Sequence, residues 1–221
     1  SRVRLHHLLS FTSGWYEDGM ATPWCGHGHD PFMACAHSLY NHSTAYGAEP
    51  GANWTYLSCH LQFAGAMAVA ASGMPIYELF ERYLYTPFNM TSTTWTPRAN
   101  PMLAVGITTT ANDFEQLLKR LLTYEVLPRS VLDVMETDSS KPPCTPSGDG
   151  WFGHYGMGHW WECIGYGTPP NPYERLPLPE DCVAAHVQAG PGLFGYYPLL
   201  DRSGGGGSAG PARRPYYFQI A

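Results

Sequence analysis

A serine, cysteine or tyrosine becomes a catalyst only beside a group that takes or returns its proton, so residue spacing comes before everything else. Ser208 lies in Gly206-Gly207-Ser208-Ala209-Gly210, the pattern of a strained nucleophile elbow, which requires a strand before it and a helix after it. A glycine run precedes this segment and Pro211 follows it, so it reads as a linker and Ser208 as inert. Cys25, His27, His29 and Asp30 offer soft and borderline donors for Zn²⁺, but their spacing matches no standard zinc pattern. A polar loop closed by a disulfide from Cys25 is the competing reading. A metal-dependent hydrolase built on that loop is the most distant of three functional readings, and no cofactor is expected. The two lysines, Lys119 and Lys141, are preceded three residues earlier by Gln116 and Asp138. A Ser-x-x-Lys nucleophile pair is therefore absent from these 221 residues.

The elements that would hold such groups can be read from composition and periodicity. With 44% hydrophobic and only 14% charged residues, the chain folds around a core and is not intrinsically disordered. A net charge of −6 argues against nucleic acid as a partner, because phosphate binding needs clustered cations. The best apolar run, Phe63 to Ala71, falls short of the roughly 18 residues that a membrane span requires. Residues 4–10 read as a short helix followed by a turn at Thr12-Ser13-Gly14, and residues 15–51 as one long loop. Ser58 to Ser72 has small and apolar residues at helical spacing and stops at Gly73. A second helix runs from Pro75 to about Tyr85. Thr110 and Asp113 form a capping box ahead of the stripe Phe114, Leu117, Leu118, Leu121 and Leu122, and Ser130 to Glu136 adds a short helix. Aromatic strands follow at Trp151 to Tyr166, Leu193 to Leu200 and Tyr216 to Ile220. Helices first and strands last indicate a segregated α+β architecture, with residues 1–148 mainly helices and loops and 149–221 antiparallel strands.

Six cysteines are too few for a disulfide scaffold. Cys25 and Cys35 are close enough in sequence to close a small ring, and Cys59, in an apolar helical pattern, reads as a buried free thiol. Sequons stand at Asn41-His42-Ser43, Asn53-Trp54-Thr55 and Asn89-Met90-Thr91. Six Asn and 30 Ser plus Thr would produce about 0.8 of them by chance, so three favour a secretory lumen. The chain opens on Ser1 without a Met or a signal core, and the upstream sequence is read as processed or unrecorded.

Several blocks occur in one order: Leu8-Leu9-Ser10-Phe11-Thr12-Ser13-Gly14, then Glu49-Pro50-Gly51 leading to Tyr56-Leu57-Ser58, then Tyr85-Thr86-Pro87-Phe88-Asn89-Met90-Thr91. Gly106 to Asp113 and Ala185-His186 to Asp201 complete the series. This arrangement resembles the serine β-lactamase-related family, which includes class C β-lactamases, esterases and D-alanyl-D-alanine carboxypeptidases. The resemblance implies a β-lactamase/transpeptidase-like fold, an antiparallel sheet flanked by helices with a helical lobe. Here that fold would be incomplete at both ends. In the family a Ser-x-x-Lys precedes the Leu-Leu-x-x-Thr-Ser-Gly element, so the nucleophile would lie upstream of Ser1.

By the same resemblance, Tyr56 is the general base or proton relay, and Ser58 holds the third position of the Tyr-x-Asn/Ser motif. His186 stands where lactamases carry Lys-Thr-Gly and esterase-like relatives His-x-Gly. The edge strand at Gln188 to Gly190 supplies an oxyanion N–H and contacts substrate, although Gly190 is four residues after His186 where the family places its glycine two after. The structural alternatives are a tyrosine at a helix start, a helix N-cap at Ser58 and a partly buried strand histidine. The reading implies a serine hydrolase acting on a small-molecule or peptide ester or amide, without a membrane span in this segment or a nucleic-acid partner. A non-catalytic binding descendant of the same fold is the runner-up.

Overall fold

The structure, a computed structural model, describes residues 3–15, 31–42, 48–95, 99–140, 145–146, 154–161, 186–190, 192, 196–202 and 218–219. Helix α1 (Leu5–Leu9) buries Leu8 and passes into the Thr12-Ser13-Gly14 turn. Gly14 has φ 89, and a Cβ there would run into the Ala48 carbonyl, so this backbone approach excludes any side chain. Helix α2 (Phe32–His42) corrects the reading of residues 15–51 as one loop. Its Phe32, Cys35, Ala36 and Leu39 are all buried and follow the i, i+3, i+4, i+7 rule. The Gly-, His- and Pro-rich flanks hide that stripe when the whole segment is averaged.

After β1 (Asn53–Trp54) comes α3 (Ser58–Ser72), which ends on Gly73 in the left-handed region at φ 70, as its sequence predicts. Its N-cap is Leu57, and Ser58 is the first helical residue rather than the cap. The expected helix from Pro75 to about Tyr85 forms and runs on without a break to Phe88, as α4 (Ile76–Phe80), a π-helical turn (Glu81–Tyr85) and α5 (Thr86–Phe88). Pro87 has no N–H to offer the carbonyl of Tyr83 four residues back, so a regular ladder could not continue through this stretch.

The short strands β2 (Thr94–Trp95) and β3 (Ile107–Thr108) pair antiparallel ahead of α6 (Ala111–Leu122) and α7 (Arg129–Met135). Thr110 caps α6 by accepting the Asp113 N–H at 3.2 Å. The Asp113 carboxylate does not close the box; it accepts the Ser92 N–H and the Thr93 hydroxyl, each at 2.7 Å. Then follow β4 (Thr145–Pro146), β5 (Trp160–Trp161), β6 (Val187–Ala189), β7 (Tyr196–Tyr197), β8 (Leu199–Asp201) and β9 (Phe218–Gln219). β1 and β4 pair in parallel. The later strands pair antiparallel, in a sheet ordered β5-β6-β8 and a β7-β9 pair. The result is the α+β fold that the element order indicates.

Two cores organise these elements. Leu8, Trp15, Cys35, Leu39, Cys59, Phe63 and Ala64 join α1, α2 and α3. Cys59 is a buried thiol outside any disulfide, as expected, and Cys35 is disulfide-bonded. The second core is aromatic: Phe11, Trp54, Tyr155 and Trp160 bring the turn after α1, β1 and the approach to β5 together. That second core lies directly beneath the loop carrying Tyr56.

Candidate active site around Tyr56

Tyr56 sits in the three-residue link between β1 and α3, and it is the exposed member of an aromatic group, with 59% of its surface accessible. Its ring meets Phe11 edge-on at 4.9 Å, Trp160 at 5.6 Å, Trp54 at 6.2 Å and Tyr155 at 6.5 Å between centroids. All four neighbours are buried, so they form a rigid floor with one phenol on top. Phe11 holds this position at φ 58, an unusual conformation for a bulky side chain and one that surrounding packing must sustain. Desolvation against the floor raises the pKa of Tyr56. Burial pushes the phenol of Tyr155 well above its ordinary value, with the charge of Tyr56 adding to the effect.

Ser58 is half-buried at the first turn of α3, two residues from Tyr56. A hydrogen-bond chain fixes this link from below. The Ser13 hydroxyl lies 2.6 Å from His60 Nε2, and His60 Nδ1 lies 3.2 Å from the Leu57 carbonyl. A carbonyl only accepts, so Nδ1 carries the proton and Nε2 accepts from Ser13, whose oxygen in turn accepts the Trp15 N–H at 3.2 Å. Ser13 and His60 are both fully buried. Sequence reasoning missed His60 and Tyr155. The signals were the Thr-Ser-Gly turn needing a buried partner, and an aromatic placed just ahead of β5.

His186, Gln188 and Gly190 lie on and beside β6. His186, at φ 48, stacks on Trp161 at 5.0 Å with 14° between the planes and places Nε2 3.2 Å from a Glu136 oxygen. Neighbouring strand residues face opposite sides of a sheet. Trp160 touches Tyr56 and Trp161 touches His186, so these contacts of Tyr56 and His186 fall on opposite faces of β5. Gln188 pairs across the ladder with Trp161 and Leu200 and is buried, and among the described residues neither end of its side-chain amide has a hydrogen-bond partner. The expected edge strand is an inner one, because β6 is bonded on both sides, and the Gly190 N–H is taken by the Pro198 carbonyl at 3.0 Å.

Cys25, His27, His29 and Asp30, like Ser208, lie outside the described residues. Among the described residues no group of three or more His, Cys, Asp or Glu side chains could hold a metal. No single described helix is long and apolar enough to cross a membrane, and Ser58–Ser72 and Ile76–Phe88 reach that length only together, at a 91° bend.

The family profile for Beta-lactamase matches residues 1–171. No curated protein matches. Among solved structures, a candidate β-lactamase of Bacteroides dorei superposes with a TM-score of 0.69 at 25% identity, covering 92% of this chain and 61% of that one. D-amino acid amidase from Ochrobactrum anthropi gives 0.58 at 15% identity, over 74% of this chain and 54% of the amidase. An octameric penicillin-binding protein homologue from Pyrococcus abyssi gives 0.56 at 15% identity, over 89% and 45%. The chain thus spans less than two thirds of each of these proteins. The profile match covers most of the chain and carries the Thr-Ser-Gly turn, the Tyr56 link and α3, the parts that build the aromatic floor and its exposed phenol. The chain belongs to the β-lactamase family, a family of serine hydrolases.

Proposed function

We propose that the full-length protein hydrolyses an ester or amide through a covalent acyl-serine. The observation that carries this reading is Tyr56 itself, exposed on a buried aromatic floor beside Ser58; the motif resemblance assigns it the role of the family's proton-relay tyrosine. The serine and lysine of a Ser-x-x-Lys pair would come from outside these 221 residues. Serine Oγ attacks the carbonyl carbon and gives its proton to the Tyr56 oxygen; the bond to the leaving group breaks, and that group departs with the proton. Water then cleaves the acyl ester, releasing the acid and restoring the serine. A phenol raised by desolvation is a base near neutral pH only next to a cation. No described charge enters the causes of the Tyr56 shift, which suits a lysine delivered with the nucleophile. A substrate of this class is a small molecule or a peptide.

One observation favours a second reading, a non-catalytic binding descendant. For His186 to meet a substrate on the Tyr56 side, it would have to leave both Glu136 and the face of Trp161. Treating folded full-length protein with fluorophosphonate and penicillin-based probes, then mapping the label by mass spectrometry, separates the two. Label on a serine three residues before a lysine supports the hydrolase. Folded protein that takes neither label supports the binding descendant.

A further inference from the structure

The three sequons are equivalent as sequence but not as surface. Asn89 closes α5 at φ 54, in the left-handed conformation that asparagine tolerates better than most residues. Phe88 and Met90 on either side are 5% and 2% exposed, and they anchor the turn. The backbone is tied down as well, by Asn89 N–H to the Thr86 carbonyl at 3.2 Å and Met90 N–H to the Tyr85 carbonyl at 2.9 Å. Between these anchors Asn89 is exposed, and so is Thr91, whose hydroxyl completes the sequon. The triplet therefore presents both chemical groups of an N-glycan acceptor to solvent.

Asn53 is the opposite case. It is half-buried in β1, paired with Thr145 of β4, and followed by Trp54 at 3% and Thr55 at 9% exposure. The Thr55 N–H is bonded to the Phe11 carbonyl at 2.9 Å. A large hydrophilic chain on Asn53 would have to leave the ladder beside the aromatic floor. Asn41 is exposed on the last turn of α2, while Ser43 of its triplet lies outside the described residues.

A second, independent observation bears on compartment. Cys35 is fully buried and disulfide-bonded, and such bonds persist in oxidising compartments. We propose that the protein folds in the lumen of the secretory pathway and carries an N-linked oligosaccharide on Asn89, while Asn53 stays bare. The donor is an oligosaccharide linked to a lipid through pyrophosphate. The bond from its anomeric carbon to the pyrophosphate oxygen breaks, a bond to Asn89 Nδ2 forms, and the amide gives up one proton, without any redox change. This inference does not rest on the hydrolase reading.

The test is site-resolved glycopeptide mapping of wild-type full-length protein expressed with its own N-terminal sequence in a secreting eukaryotic cell. Digestion with peptide-N-glycosidase in ¹⁸O water marks each formerly occupied asparagine as ¹⁸O-labelled aspartate. The expected result is label on Asn89 in most molecules and none on Asn53, and Asn89→Gln should remove one step of the glycosidase-sensitive gel shift. An unlabelled Asn89, a labelled Asn53, or a protein carrying no glycan at any sequon would overturn the proposal.

Discussion

Tyr56 is 59% exposed on its floor of buried aromatics, and desolvation against that floor raises its phenol's pKa. A structural tyrosine in this link would bury its ring with Phe11, Trp54 and Tyr155; this one lies on top of them. If it relays the proton in acyl transfer, Tyr56→Phe in the full-length protein should lower kcat/KM for a chromogenic ester by about 10²–10⁴-fold. The same change removes one oxygen from a mostly exposed side chain, so the unfolding free energy should move by no more than about 0.5 kcal/mol. Steady-state kinetics with a urea melt on the same sample reads both, and undiminished hydrolysis would take Tyr56 out of the mechanism. Tyr56 and Ser58 were legible in the sequence because their motif is local. His60 was not, since its partner Ser13 is 47 residues away and only folding puts them 2.6 Å apart.

At the scale of elements, α6 shows how a local signal and a distant one share one residue. Thr110 caps the helix, a role visible in the sequence, while the Asp113 carboxylate reaches 20 and 21 residues back to Thr93 and Ser92 in the turn after α5. Thr110→Ala loses a single cap and should cost about 1 kcal/mol. Asp113→Ala leaves two donors without their acceptor and unties α6 from that turn, so it should cost about 2–4 kcal/mol, the larger of the two. Urea unfolding of both variants checks the order; equal losses would mean that the turn holds without Asp113. Helices α3 and α6 could be read because their patterns run for 15 and 12 residues. The strands could be located only roughly, since described strands of two or three residues carry no usable period, and the parallel β1-β4 pair joins positions 92 residues apart.

The molecule as a whole is tied together by buried charge that no periodicity reveals. Arg202, after β8, grips Glu136 at the end of α7 with Nη2 at 2.7 Å and Nε at 2.8 Å from its two oxygens. It also donates to the Leu121 and Leu122 carbonyls that finish α6 and lies over the Tyr124 ring at 4.9 Å. His186 joins the same carboxylate from the start of β6. The histidine that titrates abnormally beside this cluster is His159. Burial first, then the positive charges of His186 and Arg202, lower its pKa from 6.5 to about 4. The unfolded chain takes up a proton near pH 6.5 that the folded chain refuses until about pH 4. Stability from this group is therefore complete above pH 6.5 and declines as pH falls from there to about 4, by an amount on the order of 1–3 kcal/mol. Asp138 also loses its contribution in acid, but later. Burial works against its ionisation, hydrogen bonds from His154 and Ser140 outweigh that effect, and its pKa ends below the usual carboxylate value. Its stabilisation is complete above the ordinary carboxylate value of 3.8 and is lost as pH falls from there through the lowered pKa. Comparing urea midpoints at pH 7 and pH 4.5 isolates the histidine: His159→Gln, neutral at both, should lose distinctly less stability between them than the wild type. Equal losses in the two proteins would mean that His159 takes up its proton without opposing the fold, and the acid sensitivity would then have to be sought among the other histidines.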